Sequence, residues 1–598
     1  MTAQMNASLG KNRLRSATCI TLGVLAGSLV LSHARPASTA LPPLETEVRT
    51  SDTLPVSDLV LRAQKALSKL GLYLGDEDGR LTKKTRSAIK IYQRLNGLEE
   101  DGQATPNTVG KLEYAVGVRK LMRQLERARA ESINDARSKL LSHPATRDLI
   151  KSDGPGVADP TRDPSLCFEQ PTAFCLLNEA LESAKAVVKT ELRDWAHGEI
   201  LIAEARAGLG HRAMETAALI KDPRLVIVAL RDISEAQAAA GHAEDALAAA
   251  GIIPDPSKKS AALAAIAEIQ LRRNDLADAK QTADKLIESL FDIEEPLKEF
   301  AHRTRAAVIL AQAGAREHAE RELELAERTA RTLQQSSSRS AGMRHVASAL
   351  ADMEETARAL DMLASVSSPA DRTPVLMTAA EAQARAGDVV AALATASSIE
   401  SVRYRAVALG RIALAQAASG NVDDADTTLQ TALAAVDRIE RPYAQSFAIS
   451  RIAIALTQIH DISALTNVDA DGRLQAVRKA IDIAEKINDR KLKAHTLWLI
   501  TAQQRAIGDE EWVSTEAMAE AATDDVIGAL SRVWMFAEIS EGHAIAGNSD
   551  AAWRAFDHGI AIAKNIENAW SRSRTMAKLA ATLIRLVDPG EGRDISAP

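Results

Sequence analysis

The chain has 598 residues and a formal net charge of −7, with hydrophobic residues at 46% and aromatics at only 3%. This length exceeds what one hydrophobic core serves, so several domains or a repeat array are expected. Mild acidity without a basic block disfavours nucleic acid and anionic membrane surfaces as partners. Scarce aromatics and abundant alanine point to close-packed helices rather than β-sandwiches or aromatic sugar platforms.

The first forty residues read as an export signal. Lys11, Arg13 and Arg15 form a basic start, and no acidic residue precedes Glu45. The apolar run from Ile20 to Leu31 is short for a membrane span but suits a signal-peptide core. Ser38 and Ala40 offer a cleavage site before Leu41; a retained anchor is the alternative. Removal of residues 1–40 takes the net charge to −11. No second long apolar run follows, so no membrane span is expected in the mature chain, and the location expected is the periplasm. Cys19 leaves with the signal. Cys167 and Cys175 remain as an even pair in an exported protein, which reads as a disulfide contributing roughly 2–3 kcal/mol.

Residues 54–114 read as a three-helix unit. Val56, Val60, Ala63, Leu67 and Leu70 recur at helical spacing, and Gly71 ends that helix as its cap. Asp78-Gly79 and Asp101-Gly102 read as turns, each followed by a threonine, Thr82 or Thr105, at an N-cap position. Pro106 suits the first turn of a third helix. Leu61 to Leu67, Leu70-Gly71-Leu72-Tyr73, Asp78-Gly79, Tyr92-Gln93, Asn96-Gly97-Leu98, Asp101-Gly102 and Pro106-Asn107-Thr108 together resemble the peptidoglycan-binding-like domain. The resemblance implies a small three-helix module with peptidoglycan as its partner. The family usually has glycine where Thr82 and Thr105 stand. Tyr73, Asp78, Arg80 and Tyr92 are the candidate surface contacts; core positions for the tyrosines and turn or solvent roles for Asp78 and Arg80 are the plainer alternatives.

Residues 115–165 are expected to form a charged, solvated helix over about 116–141 and then a flexible linker. Pro144, Pro155, Pro160 and Pro164 fall in that linker. From 166 to 585 one pattern recurs: a helix, a Gly or Asn cap, and a second helix whose alanine lies five residues past the cap. The centres read as Gly210, Gly241, Asn274, Gly314, Asp352, Gly387, Gly420, His460, Gly508 and Gly547. A single helix pair cannot bury its apolar face, whereas stacked pairs can, so the array is expected to be an α-solenoid. Its periods and Gly-then-Ala spacing resemble tetratricopeptide repeats, although aliphatic residues replace most of that family's aromatic positions. The resemblance implies a protein or peptide partner along a concave groove. Residues 586–598 read as a tail.

Chemistry is sparse. The twelve histidines include no His-Glu-x-x-His and no pair four residues apart, so no metal site is expected. His197, His211 and His242 read as surface or cap-side residues. Gly208-Leu209-Gly210 follows a helical pattern rather than a strand, which argues against a dinucleotide loop. The expectation is an all-α protein, not an enzyme and without a cofactor: an envelope scaffold that docks on peptidoglycan and holds a protein partner. A regulatory subunit or adaptor of a wall enzyme, without wall binding of its own, is the alternative; a wall-cleaving enzyme ranks third.

Overall fold

The computed structural model describes residues 56–150, 156–464, 470–545 and 547–587, without the side chains of 56–57 and 460–473. The leader expected over residues 1–40 and the tail beyond 587 lie outside them. The chain divides into two compact units, the first ending at Asp135 and the second beginning at Ala136.

The first unit holds α1 (Val56–Lys69), α2 (Lys83–Leu95) and most of α3 (Pro106–Ser142). Ala63, Leu67, Ile89, Val109 and Leu112 form its core. Gly71 (φ +73°) closes α1, and Gly79 and Gly102 take the left-handed turns expected of them. Thr82 caps α2 by accepting from Thr85 N, and Thr105 accepts from Thr108 N at the start of α3. One boundary differs from expectation. No break separates the third helix from the charged helix, because residues 117–132 are almost all good helix formers and Gly110 and Gly117 stay helical.

The expected linker is tied to the second unit at a few points, while most of residues 156–165 are exposed. Leu149, on a short 3-10 turn (Arg147–Ile150), joins Ala136 and Leu140 in the core of the second unit. Thr146 donates to the Leu140 carbonyl at 2.8 Å, and Arg162 reaches Glu179 at 2.8 Å. Prolines and glycines here prevent a long helix without preventing these contacts.

Beyond the single turn α4 (Ser165–Glu169) and α5 (Ala173–Lys185), helices of at least 17 residues alternate with partners that are shorter or, in α13, equal in length. The sequence runs α6 (Thr190–Arg206), α7 (Gly210–Ala218), α8 (Pro223–Ala239), α9 (Ala243–Gly251), α10 (Pro256–Arg272) and α11 (Leu276–Ser289). It continues with α12 (Pro296–Gln312), α13 (Arg316–Thr332), α14 (Ser336–Asp352), α15 (Thr356–Met362), α16 (Pro369–Arg385) and α17 (Val389–Ser397). Then come α18 (Val402–Ala418), α19 (Val422–Val436), α20 (Pro442–Ala464), α21 (Ala470–Glu485), α22 (Arg490–Ile507) and α23 (Trp512–Asp524). The last are α24 (Ala529–Ile545), α25 (Ser549–Ala563) and α26 (Ala569–Leu586).

Nine pairs turn at a described residue with positive φ: Gly208, Gly241, Asn274, Gly314, Glu354, Gly387 and Gly420, at intervals of 33, 33, 40, 40, 33 and 33 residues, and then Gly508 and Gly547. Two expected centres are thereby corrected. Gly208 makes the first turn while Gly210 already begins α7, and Glu354 replaces Asp352, which is still helical. His460 falls within α20, among the side chains not described. At Gly241 the bonds His242 N to Gln237 O (2.9 Å) and Gly241 N to Ala238 O (3.0 Å) satisfy two helix-end carbonyls, and Asn274 and Glu354 repeat this arrangement. The alanine five residues on (Ala213, Ala246, Ala279, Ala319, Ala359, Ala392, Ala425, Ala552) is fully buried at these turns except that of Gly508, where Val513 stands exposed. A larger side chain there would hold the two helices apart.

Every even-numbered helix from α6 to α26 packs on the next, and α26 packs on α6. The solenoid therefore closes into a ring. Each short helix packs on the long helix before it; α26 has none after it, and α5 takes that place. Eleven pairs thus form the ring among the described residues, and the eleventh combines the two ends of the array. The seam buries Leu176, Leu177, Ala180 and Ile200 against Met576, Leu579, Ala580 and Leu583. Glu179, 4% exposed, accepts from Arg162 at 2.8 Å and from Arg572 at 2.7 Å. Ser573 donates to the Ala180 carbonyl at 2.8 Å. The disulfide Cys167–Cys175 is formed and pins α4 to α5, which places Phe168 5.4 Å from the Arg572 guanidinium.

Removing a buried carboxylate strands both of its arginines. Glu179→Ala is expected to cost about 3–5 kcal/mol and to lower the melting temperature of the whole ring in one transition. A separate, earlier transition confined to the array ends, seen in calorimetry or hydrogen exchange, would contradict closure as the cooperative element.

Candidate functional site

In the first unit, both Asp-Gly turns hang on a buried glutamine. Gln64 of α1, fully buried, donates to Asp78 Oδ1 (3.1 Å) and the Arg80 carbonyl (3.1 Å), and accepts from Gly79 N (2.8 Å). Gln93 of α2 does the same for the second turn, donating to Asp101 Oδ1 (2.6 Å) and accepting from Gly102 N (3.0 Å). Backbone N–H donors at Arg80 and Gln103 come first among the causes that hold the Asp78 and Asp101 carboxyls below their ordinary range. In the sequence the two glutamines belong to the motif that carries the resemblance but have no role of their own, since polar residues drop out of an apolar pattern and their spacings to the turns differ.

The four candidate contacts divide. Tyr73 and Tyr92 are core residues, 5% and 4% exposed, with the Tyr73 hydroxyl donating to the Asp76 carbonyl at 3.0 Å. Burial also raises the Tyr92 hydroxyl's pKa. Asp78 and Arg80, both in the first turn, are exposed. The structure thus brings Tyr73, Asp78 and Arg80 together around Gln64, while Tyr92 lies deeper in the same core.

In the second unit, neighbouring long helices and a short partner cover each long helix on three sides. The fourth side faces the lumen. Its residues recur three or four apart and are partly open, as Val228, Asp232 and Glu235 on α8 and Ala261, Ala265 and Glu268 on α10 show. Eleven helices spaced roughly 8–10 Å apart enclose a lumen on the order of 20 Å wide. Ion pairs run between neighbouring wall helices: Arg305 with Glu268 (2.7 Å), Arg411 with Glu381 (3.1 Å) and Lys578 with Glu541 (2.6 Å). At the seam, Arg574 binds Glu199 (2.5 Å) and lies 4.4, 5.1 and 4.8 Å from the rings of Trp195, Trp534 and Trp570. Asp352 is open to water yet crowded, and burial followed by the nearby Glu381 carboxylate pushes it up to about 6.

The histidines singled out in the sequence do not assemble. His197 is fully buried rather than surface-lying, and burial lowers its pKa to about 4. His211 is exposed beside Glu215 at 3.3 Å, and His242 precedes α9. Among the described residues, no group of three His, Cys, Asp or Glu side chains is placed to hold a metal. No described helix is long and apolar enough to cross a membrane.

Residues 56–112 match the family model described as a putative peptidoglycan binding domain. No curated protein matches the chain. Among solved structures, the chain is similar to Ton1535 from Thermococcus onnurineus NA1, at 18% identity over 56% of this chain and 96% of that one, with a TM-score of 0.25. It is also similar to a circular tandem repeat protein with novel repeat topology, at 12% identity over 89% and 96% of the two chains, with a TM-score of 0.13. Both scores fall below the level at which two chains share a fold.

Two predictions follow from these polar contacts. Gln64→Leu leaves the buried Gly79 N–H without its acceptor and should destabilise the first unit by about 1–3 kcal/mol; hydrogen exchange over residues 56–112 reads this directly. In α6, Glu204 is pushed up to about 7, chiefly by burial and against its bonds to Thr216 and Arg212. A folded-state carboxyl above its unfolded value contributes stability that is full below about pH 4.5 and is lost as pH rises through about 7. Glu204→Gln should flatten that part of the stability–pH curve, and an unchanged slope in denaturant titrations would refute the assignment.

Proposed function

We propose that the protein is a non-catalytic scaffold of the cell envelope, docked on peptidoglycan by its first unit and holding a protein partner on its ring. The match of residues 56–112 to a peptidoglycan-binding domain carries this reading. The disulfide supports a place outside the cytoplasm, and export to the periplasm by a leader over residues 1–40 belongs to the proposal. The wall contact falls to the exposed pair Asp78 and Arg80, since buried rings offer no face to a sugar. Closure of the array turns the expected concave groove into a lumen, leaving the rims and the outer short helices for a folded partner.

A second reading, an adaptor of a wall enzyme without wall affinity of its own, draws support from the burial of Tyr73 and Tyr92.

Co-sedimentation of the mature chain with purified sacculi separates the two. Arg80→Ala should weaken pelleting roughly tenfold, the loss of one or two charge-assisted hydrogen bonds, with the fold of the unit unchanged by circular dichroism. Pelleting of both proteins alike would remove Arg80 from the contact, and no pelleting of either would favour the adaptor.

A further inference from the structure

The lumen wall is not uniform. On α8 to α16 the positions one turn into each helix are small or aliphatic: Val228, Ala261, Ala301, Ala341 and Pro374. At that position α18 still has Val407 and α20 has Phe447, while the first turns of these two helices carry Arg403, Tyr404 and Tyr443. Tyr443 is 58% exposed and Tyr404 36%. Phe447 lies one turn beyond Tyr443 on the same partly open face. Two of these three rings have an arginine beside them: Arg403 stands 4.1 Å from the Tyr404 centroid, and Arg451 stands 5.3 Å from that of Phe447.

The charges on this face are incompletely compensated. Arg411 is paired with Glu381 at 3.1 Å. Neither Arg403 nor Arg451 has a carboxylate partner among the described residues. Burial, and then the like charge of Arg411, lower the Arg451 pKa, as expected for a cation held near another without a counter-ion. A partly desolvated guanidinium kept in this state binds an incoming anion more strongly than a fully hydrated one does.

The width of the lumen selects the shape of the ligand. A folded domain of 100 residues has a radius of gyration of about 13 Å, so its diameter exceeds an opening on the order of 20 Å. An extended chain passes. Aromatic faces take the C–H faces of sugar rings, tyrosine hydroxyls take their hydroxyl and acetamido groups, and the two unpaired guanidiniums take carboxylates.

From these observations we infer that the lumen face formed by Arg403, Tyr404, Tyr443, Phe447 and Arg451 is a second binding site, for an extended, carboxylate-bearing glycan strand. The site rests on the envelope reading above but uses none of the first unit's residues. The ring would hold a single strand of the polymer to which the first unit is proposed to dock.

The test uses the full mature chain and soluble, uncrosslinked peptidoglycan strands, with binding followed by calorimetry. In an Arg80→Ala background that removes the first unit's own contact, Tyr443→Ala, on an exposed position, and Arg403→Ala, on a half-buried one, are each expected to weaken strand binding about tenfold. Arg451→Gln should do the same as the first two while keeping the shape of the wall. Strand affinity unchanged in all three lumen variants would overturn the site, while sacculus binding that still depends on Arg80 would leave the envelope reading standing. Loss of all wall binding by the unmodified protein would instead sink the envelope reading. Poly-glutamate that binds as tightly and competes for the same residues would overturn the glycan assignment in favour of an acidic peptide.

Discussion

Glu179 and Arg572 stand 393 residues apart in sequence and 2.7 Å apart in space. Everything distinctive about the second unit depends on that meeting. Without it α26 would present an uncovered face at one end and α5 another, and the array would need polar capping repeats to stay soluble. With it each end caps the other. Closing a loop of this length costs about 5 kcal/mol in chain entropy. Burying Leu176, Leu177, Met576, Leu579 and Leu583 at roughly 1.5–3 kcal/mol each exceeds that cost before any polar contact is counted. The disulfide acts on the same joint, holding Phe168 where it meets Arg572.

Closure also determines what the ring offers. An open solenoid presents a groove that a folded partner can enter from the side. A closed one presents a lumen accessible only along its axis, with two rims and an outer wall. The same long helices line both, yet the side that would be a shallow concave surface becomes an enclosed channel where charges are less hydrated. That explains why wall carboxylates such as Asp352 respond to neighbours on adjacent helices. It also explains why the few aromatic residues matter more than their number implies.

The first unit works by a different device. Its hydrophobic core is small, and the two Asp-Gly turns are held by fully satisfied side-chain bonds from Gln64 and Gln93 rather than by packing alone. A buried polar hub of this kind specifies one geometry, because any shift leaves several groups without partners. The exposed side of the first turn, carrying Asp78 and Arg80, is therefore presented rigidly on an otherwise modest scaffold.

Local chemistry was readable along the chain. Thr82 and Thr105 as caps, Gly71, Gly79 and Gly102 as left-handed turns, and the disulfide between Cys167 and Cys175 all follow from residue type and short-range spacing. So does the helix–cap–helix unit, since a capping glycine and a buried alanine five residues later are requirements of a single pair. Even there, Glu354 took the turn expected near Asp352, because the Leu350 and Ala351 carbonyls set the turn's position and glycine is only the easiest residue to put in it. The tertiary structure alone decided the ring, the burial of Tyr73, Tyr92 and His197, and the approach of Arg411 and Tyr443 to Arg451. Closure depends on a rotation of about 33° per pair accumulated over the array. No local pattern records so small an angle, and a difference of a few degrees would have left the same sequence of helices as an open spiral.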